Sequence, residues 1–188
     1  MDWDKVVFFD LETTGLRAHE HAIVEIAAYC PKTKETFHRR VKPFRDIPVE
    51  ASAIHGIYEQ DVETEQTWSV IGESFVNYVL QNVGEKPIWC AYNGHRFDVP
   101  FLQMELLRIG MDPFTHRAID PYPLMKRLFP ERPSRKQSLV FLELFGEEMQ
   151  NAHNALGDLV ALQRICEDDR VRELLGSTLK KFNNLMYP

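Results

Sequence analysis

The run VVFFDLETTGL, residues 6–16, constrains this chain more than any other stretch. Between Val6 and Leu11 every position except Asp10 is apolar, and most are β-branched or aromatic, so the segment reads as a strand. Because apolar residues stand on both of its parities, both faces should be covered, as in the middle of a sheet. Side chains alternate along a strand, which sends Asp10 and Glu12 to the same face. Two neighbouring carboxylates at the end of a buried strand repel each other and are costly to desolvate, a conflict that a bound cation resolves. The plainer alternative is that one or both turn into solvent or cap the following Thr-Thr-Gly turn, and a lone Asp-x-Glu does not decide between the two.

The chain has 188 residues, 44% of them hydrophobic, enough for one domain, residues 1–188, with a sizeable core. Its net charge of −6 excludes a polycation that coats nucleic acid, so contact with a polyanion needs a local basic patch or bridging metal ions. Cys30, Cys90 and Cys166 are odd in number and lack a Cys-x-x-Cys pair, which suits reduced buried thiols rather than a disulfide framework or a zinc site. MDWDKVV carries acids where a signal peptide would carry bases, and no apolar run is long enough to span a membrane. An intracellular protein, cytoplasmic or nuclear, is expected.

In chain order, residues 21–30 read as a second strand and residues 35–43, returning after Pro31–Lys34, as a third, in an antiparallel meander. Arg39, Arg40 and Lys42 suit an exposed edge. Residues 47–57 make a short helix or turn. The spacing of Trp68, Ile71, Phe75, Tyr78 and Val79 predicts an amphipathic helix over 68–83, capped by Thr67. A buried strand is expected over 86–94, then a helix over 96–110 with Pro100 in its first turn and Gly110 past its end. A short strand at 118–120, short helices at 121–129 and 138–145, and helices at 153–169 and 171–182 complete one mixed α/β domain.

Asp98 and Asp158 are further acids in apolar, helix-forming surroundings. Singly, Asp98 is explained as a first-turn helix acid and Asp158 as part of a solvated helical face. Together with Asp10 and Glu12 they make four carboxylates, whose formal charge two divalent cations cancel. An all-oxygen site suits magnesium, with manganese as a substitute, and a metal pair can hold both oxygens of a phosphoryl displacement. His153 precedes Asp158 by five positions, about 140° apart on an ideal helix, so it should reach in from the preceding loop. There it is placed either as a general base near neutral pH or as an ordinary surface histidine.

FFDLETTGL, NGHRFDVPFLQMEL and AHNALGDLVAL, in this order, resemble the three motifs of the DEDDh 3′→5′ exonucleases. Asn93–Asp98, the His-x-Ala-x-Gly-Asp spacing and SRKQSL resemble the three-prime repair exonucleases of the TREX family in particular. The resemblance spans residues 6–166 and implies an RNase H-like fold, a mixed central sheet with helices on both faces. It also implies roles. Asp10 would bridge two magnesium ions, Glu12 and Asp158 would ligate one of them, and Asp98 would help hold the other through water. His153 would deprotonate the attacking water, and nucleoside 5′-monophosphates would leave the 3′ end. A sister group with a tyrosine base places it where this chain has Asn154. Leu16 and Ile54 match wedges against the terminal bases and Phe97 matches an aromatic near the scissile nucleotide, although all three would also serve as core. Such stacking tolerates any base.

Lys126, Arg127, Arg132, Arg135 and Lys136 gather positive charge between the second and third motifs, and Arg135 and Lys136 match DNA-backbone contacts of the TREX family. The family's edge-strand dimer makes residues 35–41 the expected homodimer seam. His95 stands where mammalian members carry an acid, and a Pro-rich insertion is lacking. The expected substrate is DNA, with single-stranded 3′ ends preferred. The alternatives are RNA, as for RNase T-like members, and a non-catalytic nucleic-acid-binding or scaffold module of the same fold.

Overall fold

A computed structural model describes residues 2–112 and 117–186, with side chains through residue 178. A 3-10 turn at Trp3–Lys5 leads into β1 (Val6–Thr13), β2 (Ile23–Cys30) and β3 (Glu35–Arg40), the expected meander. The helices α1 (Val49–His55), α2 (Glu59–Val62) and α3 (Trp68–Asn82) follow, then β4 (Ile88–Cys90), α4 (Asp98–Arg108) and β5 (Ala118–Ile119). The chain ends in α5 (Tyr122–Leu128), α6 (Gln137–Phe145), α7 (Ala155–Glu167) and α8 (Asp169–Met186).

The five strands lie in the order β3-β2-β1-β4-β5, with β1 antiparallel to β2 and parallel to β4. β1 is thus the central strand, and its parity divides the core. Val6 and Phe8 face a layer built from α5, α6, α7 and α8 through Met125, Phe141, Leu159, Leu162 and Leu175. Val7, Phe9 and Leu11 face α3 and α4 through Ile71, Phe75, Phe101 and Leu106. Asp10 and Glu12 continue the parity of Val6 and Phe8, so the acids emerge on the side where α7 packs. Burying side chains of this size contributes about 1.5–3 kcal/mol each, so the two layers carry the fold.

Three expectations shift. The strand expected over 86–94 stops at Cys90, because Tyr92–Gly94 turn toward α4 and Asn93 has φ 58°. α7 begins at Ala155 rather than at His153, whose φ of 64° takes it out of the helix. Thr67 does stand at the N-cap of α3, but its hydroxyl pairs with Ser69 instead of a backbone amide. β3 forms the edge of the sheet, where Arg39 folds back so that its Nη1 donates to the His38 carbonyl at 2.7 Å. The three cysteines are buried and free, as expected. No described helix is long and apolar enough to cross a membrane.

Candidate active site

Three elements bring the acids together. Asp10 and Glu12 come from the end of β1, and Asp158 from the first turn of α7, which lies across them. One carboxylate oxygen from each of these three lies within 4.8 Å of the others. Asp98, the first residue of α4, is 3% exposed and approaches from the far side of the sheet, where its Oδ1 accepts from the Leu11 amide at 3.2 Å. That amide is available because β4 pairs with β1 only over Val6–Phe8. The carboxylate stands in for a missing strand neighbour.

The charge cost is visible in the acidities. Burial first, then the charges of Asp98, Asp158, Glu12 and Glu25, push Asp10 well above the usual carboxylate range. Burial, then Asp158, Glu25 and Asp98, raise Glu12 to about 8. Burial also raises Asp98 to about 7 and Asp158 to about 6, the latter in spite of His153 beside it. Anionic oxygen donors that repel one another in this way fit a hard divalent cation, which removes the repulsion.

His153 sits on the loop before α7, as the 140° argument required, and its side chain is exposed. Its backbone amide donates to Asp158 Oδ2 at 3.1 Å. Asn154 caps α7 by accepting from the Gly157 amide at 3.2 Å, a contact of about 1 kcal/mol. A Cβ on Gly157 would lie 2.3 Å from the Asn151 carbonyl oxygen, so only glycine lets the loop lie this close to the helix. Gln137, at the start of α6, donates to the Asp158 carbonyl at 2.6 Å.

Beside Glu12 a cleft of about 440 Å³ is lined by Leu16, Ile54, His55 and Phe97 over Thr13 and Thr14. Leu16 and Ile54 are 82% and 61% exposed and therefore form a rim rather than core. Phe97 is half-buried and packs on Phe101 at 4.9 Å, so it serves both wall and core. The turn under Leu16 is held by Thr13, whose hydroxyl donates to the Gly15 carbonyl, and by Thr14, whose hydroxyl accepts from the Ala22 amide. Arg108 supports the same loop, donating to the carbonyls of Ala18, His19 and His21 while paired with the buried Glu105 at 2.7 Å.

The basic segment is arranged differently from the expectation. Arg132 is ion-paired with Glu143. Arg135 turns inward, with Nη2 donating to the carbonyls of Phe129 and Pro130, while its own carbonyl accepts from the Tyr92 hydroxyl at 2.6 Å. Lys136, at the N-cap of α6, remains exposed.

Glu25 and Asp120 escaped the sequence reading. Asp120 accepts from the amides of Asn93, His95 and Tyr122 and so shapes the turn before Asp98. Glu25 is fully buried opposite Glu12 in the β1–β2 pair. Burial works to raise its carboxyl, but hydrogen bonds from His38 and Ala155 outweigh it and hold the group below its ordinary value. One acid in the otherwise apolar run AIVEIAA was the available signal.

Comparisons with known proteins agree with this arrangement. The model of the Exonuclease family (RNase T type) matches residues 7–165. The DNA polymerase III subunit epsilon of Treponema pallidum is 32% identical over 162 residues, covering 84% of this chain and 71% of that protein. Human three-prime repair exonuclease 1 is 27% identical over 199 residues, covering 86% of this chain and 62% of that protein. A structure of exonuclease I superposes with a TM-score of 0.75 at 20% identity, over 92% of this chain and 43% of that one. Escherichia coli exonuclease I in complex with a dT13 oligonucleotide gives 0.72, again at 20% identity and over 42% of that chain. The chain thus spans less than half of exonuclease I, and it has the RNase H-like fold and belongs to the exonuclease family, among the DEDDh 3′→5′ enzymes.

Proposed function

We propose that this protein removes nucleoside 5′-monophosphates from the 3′ ends of DNA. The observation that carries the proposal is the meeting of Asp10, Glu12 and Asp158 within 4.8 Å at the side of an apolar cleft, with the His153 amide bonded to Asp158. These three residues would hold divalent cations, magnesium or in its place manganese, with Asp98 behind them. Bound there, a pair of such ions supplies charge neutralisation at the phosphate and a lowered water pKa.

The remaining chemistry belongs to side chains. His153, exposed on its loop, would take the proton of the attacking water. Leu16 and Ile54 would wedge against the terminal bases and Phe97 would flank the last nucleotide. None of the three offers a polar group that reads a base, as an enzyme working through any sequence requires. Single strands suit a rim of isolated apolar side chains better than a duplex, whose bases are already stacked. Lys136 is the better placed of the two matched basic residues for a phosphate, since Arg135 is engaged with its own chain. DNA is favoured by the relatives, a DNA polymerase subunit among them, and by the oligonucleotide held by exonuclease I. The edge of β3 would serve as a dimer seam once Arg39 releases the His38 carbonyl.

The test is digestion of 3′-labelled and 5′-labelled single-stranded DNA and of matched RNA, with magnesium or EDTA, beside Asp158→Ala. Magnesium-dependent release of mononucleotides from the DNA 3′ end, absent in the variant, is expected. Cleavage of RNA alone reassigns the substrate, and binding without cleavage of either polymer overturns the enzyme reading.

A further inference from the structure

Four acids already repel one another at the site, yet a fifth carboxylate is buried beside them. Glu25 is 0% exposed and lies directly across the β1–β2 pair from Glu12, on the face that α7 covers. Its two oxygens point to two different elements. Oε2 accepts from the Ala155 amide at 2.9 Å and from Asn154 Nδ2 at 3.4 Å, the first residue of α7 and its N-cap. Oε1 accepts from His38 Nε2 at 3.0 Å and lies 3.7 Å from Arg40 Nε, both on β3.

An anion at a helix N-terminus satisfies one of the amides that the helix leaves unbonded and interacts favourably with its dipole. Repulsion from the neighbouring acids opposes this. A local arrangement that works against itself electrostatically points to a job that a neutral side chain does less well. The contacts show what that job is. Residues 153 to 158 carry both the base and one acid. Ala155 packs in the core beside Phe8 and Ala27, but the other side-chain hydrogen bonds of this stretch are internal to the loop and helix, from His153 to Asp158 and from Gly157 to Asn154, or come from α6 through Gln137. Glu25 ties the same six residues to the sheet that carries Asp10 and Glu12.

We propose that Glu25 is a positioning residue for the reaction, clasping the start of α7 to β2 and β3 so that His153 and Asp158 are registered against Asp10 and Glu12. This rests on the nuclease reading above, but the clasp can be read without turnover.

The experiment compares the wild type with Glu25→Ala and Glu25→Gln in two measurements: hydrogen exchange of the peptide covering residues 152–158, and steady-state kinetics on a single-stranded oligonucleotide with magnesium. In Glu25→Ala, exchange there should accelerate about tenfold while kcat falls by about 10²-fold, the cost of a misplacement near 1 Å, with KM changed less than about threefold. Glu25→Gln keeps an oxygen for the Ala155 amide and should recover at least about half of that loss on a logarithmic scale. Should Glu25→Ala fail to fold, Glu25→Asp, one methylene too short to reach both elements, replaces it with the same expected outcome. Faster exchange with unchanged kcat, a loss confined to KM, or no recovery in Glu25→Gln overturns the positioning role. Unchanged exchange overturns the clasp itself. An inactive wild type overturns the nuclease reading and the positioning role together, and the exchange data then show separately whether the clasp exists.

Discussion

Replacing Glu12 by Gln should make the metal-free protein more stable in alkaline solution while removing its activity. Burial and the charges of Asp158, Glu25 and Asp98 raise Glu12 from 4.5 to about 8 in the folded chain. The folded protein therefore holds a proton there that the unfolded chain has already lost. Below pH 4.5 the side chain is neutral in both states and contributes no penalty. As pH rises from 4.5 to about 8 the native state loses stability, and above 8 the penalty is complete. A gap from 4.5 to about 8 corresponds to about 5 kcal/mol at 25 °C. For a domain of this size that equals roughly 10–20 °C in Tm.

The assay is urea and thermal unfolding of wild type and Glu12→Gln from about pH 4.5 to about pH 9, in EDTA and in magnesium. In EDTA the curves should coincide at the acid end and separate as pH rises, with the glutamine variant the more stable. Magnesium should flatten the wild-type slope, because a bound cation stabilises the ionised site, and should do less for the variant. Parallel pH curves in EDTA, or a variant less stable at about pH 9, would refute the claim that the site stores repulsion.

His153→Ala should lower kcat by about 10²–10⁴-fold with little change in KM or Tm, since the side chain is exposed, and single-turnover rates with thermal melts check this. Gly157→Ala forces the Asn151 carbonyl away from a Cβ that would lie 2.3 Å from it, so the loop bearing His153 should shift and kcat fall by about 10²-fold at near-constant KM. Asp98→Asn keeps an oxygen for the Leu11 amide and should fold normally in EDTA but fail in turnover. Asp98→Ala leaves that buried amide unpaired and should also lose about 1–3 kcal/mol in urea unfolding.

Much of the fold was legible because the two periodicities in the chain are unambiguous. Continuous apolar character made β1 central, and the basic residues of β3 marked an edge. Asp10 and Glu12 could be placed on one face by counting, and His153 could be put before its helix from the angle to Asp158. What local patterning could not show were contacts set by the folded backbone, whether near or far along the chain. The apolar run through Ile88–Tyr92 does not reveal that pairing ends at Cys90, which depends on where β5 and the turn to α4 lie. Arg135 reads as a free cation in sequence, yet carbonyls at Phe129 and Pro130 capture it once the Pro-containing segment folds back. Glu25 was hidden for the opposite reason, since its partners lie 13 and 130 residues away along the chain.

These long-range contacts explain why the site forms where it does. β1 runs on past the end of its parallel neighbour, so beyond Phe8 one side of the central strand lacks a strand partner. Ligand sites in open α/β sheets lie just outside the carboxyl ends of parallel strands for the same reason, that backbone groups and helix starts converge there. Here the gap admits α4, whose first residue supplies Asp98 to the Leu11 amide, while the opposite face admits α7 with Asp158. Helix starts favour negative charge, so both helices support acids at the places where β1 presents two more. Folding energy comes from the two apolar layers behind the site, which allows the carboxylates to be spent on repulsion that a cation relieves. The cluster is therefore a product of topology first and of charge second, and substitutions that preserve the backbone contacts while removing charge should separate the two.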